Sequence, residues 1–390
     1  MLLKRVEPYQ QCVRCIQDTT VPGIRFDAKG ECNFCALHDR MVQMFPNDAR
    51  GEAILQRRAD RIRRDGKGRK WDCVVGISGG RDSTYLLWFT VNVLKLRPLA
   101  VHFNDGFDNP VAGENMVNAC QKLGVELRTV TSDWREAKDL KIMMLKASTP
   151  DLNLGTDVGI GSSLYGVAAK EGIRHILIGQ SFRTEGIKPL KWAYFDGTYL
   201  KEVHKQLGTF PLRPWRAEDP GFHLEPKHLL YYTVVKRISV FTPLYYHNYI
   251  RKNVSELITR ELGWVDPGAH YFDDLYHALI AHVLRVKFNA DMRLNSYSAL
   301  VRSGQMTREE ALERVQSVYA IEDPDVIRLC IKRLGMTREE FDRYMDLPHK
   351  TFLDYPTSYN TLKRFRWVIW LLCRLRLLPE VAYDKYFKTL

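Results

Sequence analysis

Long hydrophobic runs are missing from this sequence. No segment approaches the roughly 18 to 20 consecutive apolar residues that a membrane-spanning helix requires. The opening segment, residues 1–8, also lacks the apolar core of a secretion signal, because Lys4 and Arg5 follow the first leucines directly. We therefore expect a protein that works in the cytoplasm.

Acidic residues are in short supply relative to basic ones. The chain has 58 Lys and Arg against 46 Asp and Glu, a formal net charge of +12. Such a balance suits nucleic acid, an anionic membrane surface, or acidic small molecules such as nucleotide sugars, and does not choose among them. With 390 residues, of which 45% are hydrophobic, the chain can form one large core with an appendage or two to three domains.

The common nucleotide-binding motifs are absent as well, but a different one is present. The sequence has neither the Gly-Lys-Ser/Thr ending of the Walker loop nor the dinucleotide fingerprint. Instead, an apolar run at 73–77 leads into Ser78-Gly79-Gly80-Arg81-Asp82-Ser83, and a helix-compatible segment follows. A strand that enters a glycine turn at a helix N-terminus predicts an anion site, because backbone N–H groups can approach oxygen atoms closely there.

Four of the eight cysteines form two close pairs near the N-terminus, Cys12-x-x-Cys15 and Cys32-x-x-Cys35. This spacing is typical of a structural zinc site in which two turns complete a tetrahedron of thiolates. Two disulfides, free thiols and an iron–sulfur cluster are the alternatives. The other cysteines have apolar surroundings and are predicted to be small buried hydrophobes.

Strand-like and helix-like segments alternate from residue 71 onward, which predicts a doubly wound parallel α/β sheet. Ligands of such sheets bind at the carboxyl ends of the strands, where Ser78, Asn104 and Gly179 are expected to converge. We predict a four-cysteine zinc-binding module at 1–46, a basic helix and linker at 47–70, the α/β domain at 71–265 and a helical region at 266–390. The basic, apolar segment 364–378 is expected to pack on the core or on a partner, or to lie weakly on a membrane surface.

Taken together, these segments resemble a known family. Ser-Gly-Gly-x-Asp-Ser resembles the pyrophosphate loop of the N-type (PP-loop) ATP pyrophosphatases, the adenine nucleotide alpha hydrolase-like fold. The cysteine pairs with their Pro22-Gly23-Ile24-x-Phe26-Asp27 insert, and the order of the motifs over about residues 9–345, resemble the N-acetyl sugar amidotransferases. The resemblance is carried further by 97–102, 184–187 and 303–311.

This resemblance implies an ATP-dependent amidotransferase of lipopolysaccharide O-antigen or related surface-glycan biosynthesis. It would adenylate an acetamido group of a nucleotide-activated sugar acid and replace the oxygen by ammonia, releasing AMP and pyrophosphate. ATP, Mg²⁺ and structural Zn²⁺ are the implied cofactors. Because the chain has no Gly-x-Cys-x-Gly elbow and no N-terminal Cys nucleophile, ammonia is expected from a glutaminase (HisH-like) paired with a cyclase-like (HisF-like) subunit, or from free ammonia.

The same resemblance and the strand ends together predict the site residues. Ser78, Asp82 and Asp157 are the catalytic candidates, and the predicted metal ligands are the four paired cysteines. The predicted nucleotide-binding residues are Gly76, Ser78, Gly79, Gly80, Asp82, Ser83, His102, Phe103, Asn104, Asp105, Gly179 and Gln180. The predicted substrate-side residues are Arg183, Glu185, Lys188 and Trp192. One departure concerns Asn104-Asp105-Gly106, where the family tends to have Asp-Asn-Gly.

Two other functions compete with the amidotransferase. A tRNA-thiolating enzyme would also combine a pyrophosphate loop with cysteine pairs, and positive charge suits RNA. Such enzymes usually carry a sulfur-relaying Cys near the crevice, and the segment 148–159 has none. A non-enzymatic zinc scaffold is the third hypothesis, against which the intact Ser-Gly-Gly-x-Asp-Ser argues. No nucleic-acid partner is expected for the favoured function.

Overall fold

A computed structural model describes residues 8–268 and 273–374 together with 383, 386 and 387. Its centre is a five-stranded sheet in the order β3-β2-β1-β4-β5. All neighbouring strands are parallel. The strands are β1 Cys73–Gly76, β2 Pro98–Asn104, β3 Leu127–Thr131, β4 His175–Leu177 and β5 Ser239–Phe241.

The central strands form because their residues can be buried on both faces of the sheet. In β1, Val74 lies in one apolar core and Val75 in another, since successive side chains of a strand point to opposite faces. The register continues this division: Val74 pairs with Leu99 of β2, which shares its core. Helices cover both faces, as all-parallel sheets require. The predicted doubly wound α/β sheet is confirmed.

Helices connect the strands and form the rest of the chain. Before β2 lie α1 Asn33–Met44, α2 Ala49–Asp65 and α3 Arg81–Asn92; before β5 follow α4 Pro110–Leu123, α5 Trp134–Ala147, α6 Leu154–Lys170, α7 Gly197–Leu207 and α8 Pro226–Leu230. After β5 come α9 Arg251–Leu262, α10 Tyr276–Phe288, α11 Met292–Arg302, α12 Arg308–Gln316, α13 Pro324–Arg333, α14 Arg338–Met345, α15 Tyr359–Arg364 and α16 Arg366–Arg374. The helical C-terminal region is thereby confirmed.

The cysteine module packs against the C-terminal helices, far along the chain. The backbone N–H of Ile16 donates to the hydroxyl of Ser298 in α11 at 3.3 Å. Arg308 of α12 donates to the carbonyl oxygens of Cys12 and Cys15, both at 3.1 Å. The module and α11 therefore form one packed unit.

The basic, apolar segment 364–378 is only partly described, and residues 375–378 lie outside the described residues. In α16 the indoles of Trp367 and Trp370 are exposed, at 66% and 47%. None of the helices in the described ranges is both long and apolar enough to cross a bilayer. Of the cysteines outside the pairs, Cys73, Cys120 and Cys330 are buried as predicted, and the Cys373 side chain lies outside the described set.

Candidate active site and metal centre

The loop between β1 and α3 has the geometry of an anion cradle. Gly80 is the N-cap of α3 and offers no side chain to the first N–H groups of the helix. Ser83 fixes the loop from within: its hydroxyl accepts from the Ser78 N–H at 3.1 Å and donates to the Gly80 carbonyl at 3.2 Å. The first N–H groups of the helix therefore face a preformed turn that suits phosphate oxygens.

Gly79 is required in this loop by two independent constraints. Its φ is +78°, and a Cβ at this position would lie 2.0 Å from the carbonyl oxygen of Ala112. Its own carbonyl accepts from the Asn115 amide at 3.2 Å and from the Trp264 indole at 3.0 Å. The loop is thus held against α4 at a separation that only glycine permits.

A pair of carboxyl groups lies beside this loop. Asp82, in the first turn of α3, accepts a hydrogen bond from the hydroxyl of Tyr249, and both residues are buried. The carboxyl group of Glu185 is within hydrogen-bonding distance of Asp82. Burial, together with the nearby Asp82 charge, raises the pKa of Glu185 well above its ordinary value.

Lys188 and Asp157 belong to the same surroundings. Asp157 lies in the first turn of α6 and accepts from the Asn153 amide at 3.0 Å. Burial raises the pKa of Glu185, and the charge of Lys188 opposes the rise. Asp157 is exposed, and the charge of Lys188 acts on its carboxyl group as well. The fold thus brings Lys188 within electrostatic reach of both Asp157 and Glu185.

A further acidic residue at the loop had no signal in the sequence. Asp273 hydrogen-bonds Ser78, and its carboxylate lies 3.3 Å from the point where a Cβ of Gly80 would be. Burial raises the pKa of Asp273 to about 6. Its backbone carbonyl accepts from Asn109 at 3.0 Å, so a segment after α9 is tied to the loop after β2.

Two buried hydroxyls near the strand ends have no hydrogen-bond partner among the described residues. They are Thr84 Oγ1 and Ser181 Oγ, in residues that are 0% and 1% exposed. Buried hydroxyls in folded proteins are as a rule hydrogen-bonded, so both groups can donate to a further polar atom in the crevice. The sequence did point to their positions, since Thr84 follows the motif directly and Ser181 follows Gly179-Gln180.

Residues at the end of β2 contact the end of β1 and shape the turn that follows. His102 hydrogen-bonds the Ile77 carbonyl at 3.1 Å and the Asp108 carboxylate at 2.8 Å. Phe103 packs edge-to-face on Phe222, with ring centroids 5.9 Å apart. Asn104 accepts from the N–H of Gly106 at 2.7 Å, which shapes the turn. These contacts link the ends of β1 and β2.

Asp105 points into the protein interior. It is 4% exposed and forms an ion pair with Lys141 at 2.7 Å, to which the Thr156 hydroxyl adds a hydrogen bond. Burial opposes ionisation, but the charge of Lys141 outweighs it and lowers the pKa of Asp105. In the Asn104-Asp105-Gly106 turn, Asn104 therefore shapes the backbone and Asp105 anchors α5.

The remaining predicted residues divide between the crevice and the interior. Gly179 follows β4, and a Cβ there would lie 3.0 Å from the Asp82 carbonyl oxygen, so the strand end closely approaches α3. Gln180 is exposed, and Gly76 ends β1. Arg183 donates to the carbonyls of Tyr245 and Phe45, and Trp192 is 4% exposed within the main core.

The paired cysteines form a compact cluster whose geometry fits a metal. All four are buried, and their sulfur atoms lie within 4.8 Å of one another. Sulfur–sulfur distances are 3.6 Å for Cys32–Cys35, 3.7 Å for Cys15–Cys32 and 3.8 Å for Cys12–Cys35. A tetrahedral ion about 2.3 Å from each sulfur sets this separation to roughly 3.8 Å. Hydrogen bonding to Cys12 lowers the pKa of Cys15 and raises that of Cys35.

A buried arginine contacts this cluster. Arg302, at the end of α11, is 8% exposed and donates to Cys35 at 3.2 Å and to Cys15 at 3.1 Å. It also donates to the side-chain oxygen of Gln17 at 2.5 Å. No local sequence pattern indicates this contact, because Arg302 and Cys35 are 267 residues apart.

The C-terminal region matches a family model. Residues 269–368 match the model described as LPS biosynthesis protein WbpG-like, C-terminal domain. The matched segment contains Asp273 beside the Ser78-Gly79-Gly80 loop and Arg302 at the cysteine cluster. This match supports the expected link to lipopolysaccharide biosynthesis. Among curated proteins, no sequence matches this chain significantly.

Solved structures match this chain at low identity and low TM-score. The NH3-dependent NAD synthetase from Campylobacter jejuni, in complex with the nitrate ion, is 15% identical with a TM-score of 0.32, over 77% of this chain and 98% of that one. The U34-tRNA thiolase NcsA from Methanococcus maripaludis with its [4Fe-4S] cluster is 15% identical with a TM-score of 0.32, over 84% and 98%. A predicted subunit of tRNA methyltransferase from Methanocaldococcus jannaschii is 14% identical with a TM-score of 0.29, over 57% and 91%. Similarity this low leaves the function of this chain to be argued from its own residues.

Proposed function

We propose that this chain is an ATP-dependent amidotransferase that acts on a nucleotide-activated acetamido sugar acid in surface-glycan biosynthesis. The acetamido oxygen attacks the α-phosphate of ATP, and pyrophosphate leaves. Ammonia then attacks the imidoyl carbon, AMP leaves with the former amide oxygen, and an acetamidino group remains. Adenylation is needed because an amide oxygen is a poor leaving group.

One observation carries the proposal: the Asp82–Glu185 carboxyl pair lies directly beside the Ser78-Gly79-Gly80 anion cradle. Carboxylates repel a phosphate that binds next to them, so an anion site flanked by carboxyl groups needs a cation between the two. Carboxylate oxygens are ligands that suit Mg²⁺. Asp82 and Glu185 would hold the ion, which offsets phosphate charge when it is bound. The match of residues 269–368 to a lipopolysaccharide-biosynthesis family directs the proposal to a glycan substrate.

Different residues of the crevice bind pyrophosphate and the sugar substrate. Ser78, Gly80 and the N-terminus of α3 bind the departing pyrophosphate, whose charge the helix dipole favours. Lys188 and Asp157 lie on the substrate side, where the exposed Lys188 ammonium suits an acidic sugar. Catalysis then consists mainly of positioning and charge stabilisation. Ammonia comes from a separate glutaminase with its cyclase-like subunit, and the enzyme works in the cytoplasm.

Sulfur transfer fits the described cysteines less well. A sulfur relay requires an accessible thiol of low pKa. Burial raises the pKa of Cys120 to about 11 and that of Cys330 to about 12, and it also raises the pKa of Cys73. The remaining described cysteines are the four of the metal cluster, which point at one another.

The test is release of AMP and pyrophosphate from ATP and Mg²⁺ with ammonium chloride. Acidic diacetamido nucleotide sugars and bulk tRNA are compared as acceptors, with Asp82→Asn as the inactive control and Glu114→Gln, an exposed residue of α4, as the matched active one. We expect release that depends on a sugar, and a product lighter by the difference between O and NH. Release that depends on tRNA alone would reject the proposal in favour of an RNA-modifying enzyme. No ATP cleavage with any acceptor would favour a scaffold.

A further inference from the structure

We propose that the cysteine metal centre positions the active-site segment 181–187, acting through Arg302 and Asn295 of α11. The inference rests on the proposed function for its catalytic consequence, because segment 181–187 carries Glu185. Its structural part stands on contacts alone. The contacts fall into three groups. The first joins the sulfur atoms to Arg302, the second joins Arg302 to the backbone of Glu185, and the third holds segment 181–187 directly.

The first step is charge compensation at the sulfur atoms. Four thiolates around a divalent ion carry a net charge of about −2, and a buried charge of this size is costly unless it is paired. Arg302 is the buried cation at this position, 3.1 Å from Cys15 and 3.2 Å from Cys35. The loaded centre therefore holds the C-terminal end of α11.

The second step passes from the centre to Asn295. Gln17 accepts from Arg302 at 2.5 Å and donates through its amide to the side-chain oxygen of Asn295 at 3.4 Å. The Asn295 amide then donates to the backbone carbonyl of Glu185 at 2.7 Å. Gln17 and Asn295 are both fully buried, so neither amide can exchange these bonds for water freely.

The third step is a set of contacts that hold the segment itself. Ser303, next to Arg302, donates to the carbonyl of Arg183 at 2.5 Å. The Arg183 guanidinium donates to the carbonyl of Phe45, which ends α1 of the cysteine module, at 2.7 Å. Gly186 packs so closely on Asn295 that a Cβ would lie 2.7 Å from its carbonyl oxygen. The module and α11 thus hold the segment from two sides.

The functional consequence follows from the Asp82–Glu185 pair. The two carboxyl groups come from α3 and from segment 181–187, so their separation depends on where that segment lies. A misplacement of about 1 Å at a reacting centre can cost roughly 100-fold in rate. We therefore assign Arg302 and Asn295 as positioning residues for Glu185, distinct from the residues that touch ATP.

The experiment compares Arg302→Met, Arg302→Lys and Asn295→Ala in the full chain. Arg308→Met is the matched control, because Arg308 contacts the backbone of the same module at Cys12 and Cys15 and the side chain of Gln11. Three readouts are taken: zinc release to a chelator, hydrogen exchange of the backbone amides of 181–187, and the Mg²⁺ concentration needed for half-maximal ATP binding.

We expect Arg302→Met to release zinc about 10- to 100-fold faster, as changes beside metal ligands do. It should also raise hydrogen exchange in 181–187 and the Mg²⁺ requirement, while Arg302→Lys restores part of each. Asn295→Ala should retain zinc and still loosen 181–187, and Arg308→Met should change neither exchange in 181–187 nor the Mg²⁺ requirement.

Faster zinc release in Arg302→Met with unchanged exchange in 181–187 would overturn the proposal. Equal loosening in Arg308→Met would also overturn it, because it would indicate general destabilisation of the module. The exchange readout needs no substrate, so a failure of the proposed amidotransferase activity leaves this test decisive.

Discussion

In the cysteine centre the four sulfur atoms are buried, with measured separations of 3.6 to 3.8 Å, and a fixed guanidinium lies against them. In the nucleotide crevice the pKa of Glu185 is raised by burial and by the nearby Asp82 charge, and the charge of the exposed Lys188 opposes that rise. The first set of ligands is closed and compensated from within the protein. The second set is partly exposed at Glu185, and the raised pKa of Glu185 keeps its negative charge low.

Under the proposed function, the two sites would hold cations for different purposes. A compensated, closed site retains its ion and stabilises the fold. A site whose ligands are protonated exchanges its ion readily and depends on pH, which suits an ion that arrives and leaves with ATP. Four substitutions test this contrast between the cysteine centre and the nucleotide crevice.

The largest effect is expected from Cys15→Ser. It removes one of four ligands from a closed site, so zinc content should fall from about one ion per chain to nearly none, and the melting temperature should fall with it, because the binding free energy of a structural ion is folding free energy. Metal analysis and calorimetry measure both. Cys120→Ala, a buried cysteine outside the cluster, should keep its zinc. Full zinc content in Cys15→Ser would contradict the closed-site description.

Next in size is Gly79→Ala in the crevice. The new Cβ would meet the Ala112 carbonyl, and the left-handed φ costs about 1 to 3 kcal/mol for a non-glycine residue. ATP-dependent pyrophosphate release should be abolished while zinc content stays normal. The matched control is Gly113→Ala, in α4 next to Ala112, where nothing lies within 4 Å of the added Cβ. This variant should remain active. Comparable losses in the two variants would argue against a tightly constrained loop.

A smaller effect concerns pH. Because the pKa of Glu185 is raised, Mg²⁺ must displace a proton, and its apparent dissociation constant should fall by up to about tenfold for each pH unit gained below that pKa. Glu185→Gln should bind Mg²⁺ with ATP more weakly and flatten this dependence, as measured by titration at several pH values. Glu114→Gln should retain the wild-type slope. A wild-type dissociation constant for Mg²⁺ that did not change with pH would remove the contrast with the cysteine centre.

The smallest effect is expected from Asp108→Asn, which weakens the hydrogen bond between Asp108 and His102 at the end of β2. Burial lowers the pKa of His102, but the bond to Asp108 outweighs it and leaves the pKa raised. The pair therefore stabilises the fold fully below the unfolded pKa of roughly 6.5, and this contribution is lost as pH rises through the folded pKa. We expect a loss of about 1 kcal/mol at acidic pH and less at about pH 9, measured by urea unfolding. Asp60→Asn, an exposed partner of Arg63, should show no such trend. An equal loss at both pH values would contradict this pairing.

Local patterns in the chain were sufficient to predict several parts of the protein. The spacing of Cys12, Cys15, Cys32 and Cys35 predicted a four-sulfur cluster, since each Cys-x-x-Cys turn places two thiols together. The run before Ser78 predicted a strand that ends in an anion-binding turn. The parallel sheet followed from alternating strands and helices, because period and turn residues are written in short segments.

Other parts depended on contacts between distant segments. Asp105 was predicted to face the nucleotide, and the fold pairs it with Lys141 inside the protein. Trp192 was predicted on the substrate side, and it lies in the core. Whether these residues contribute to binding stays a prediction, but their positions were decided by packing that no local pattern expresses.

Sequence by itself therefore determined the two ligand sets of this protein, the thiols and the Ser-Gly-Gly turn, because each is encoded within a few dozen residues. Only the tertiary structure decided what surrounds them: Arg302 at the sulfur atoms, Asp273 at the Ser-Gly-Gly turn, and Glu185 beside Asp82. The physical reason is that burial and charge compensation act between whichever groups packing brings together. In this protein those groups are more than 100 residues apart along the chain in each case.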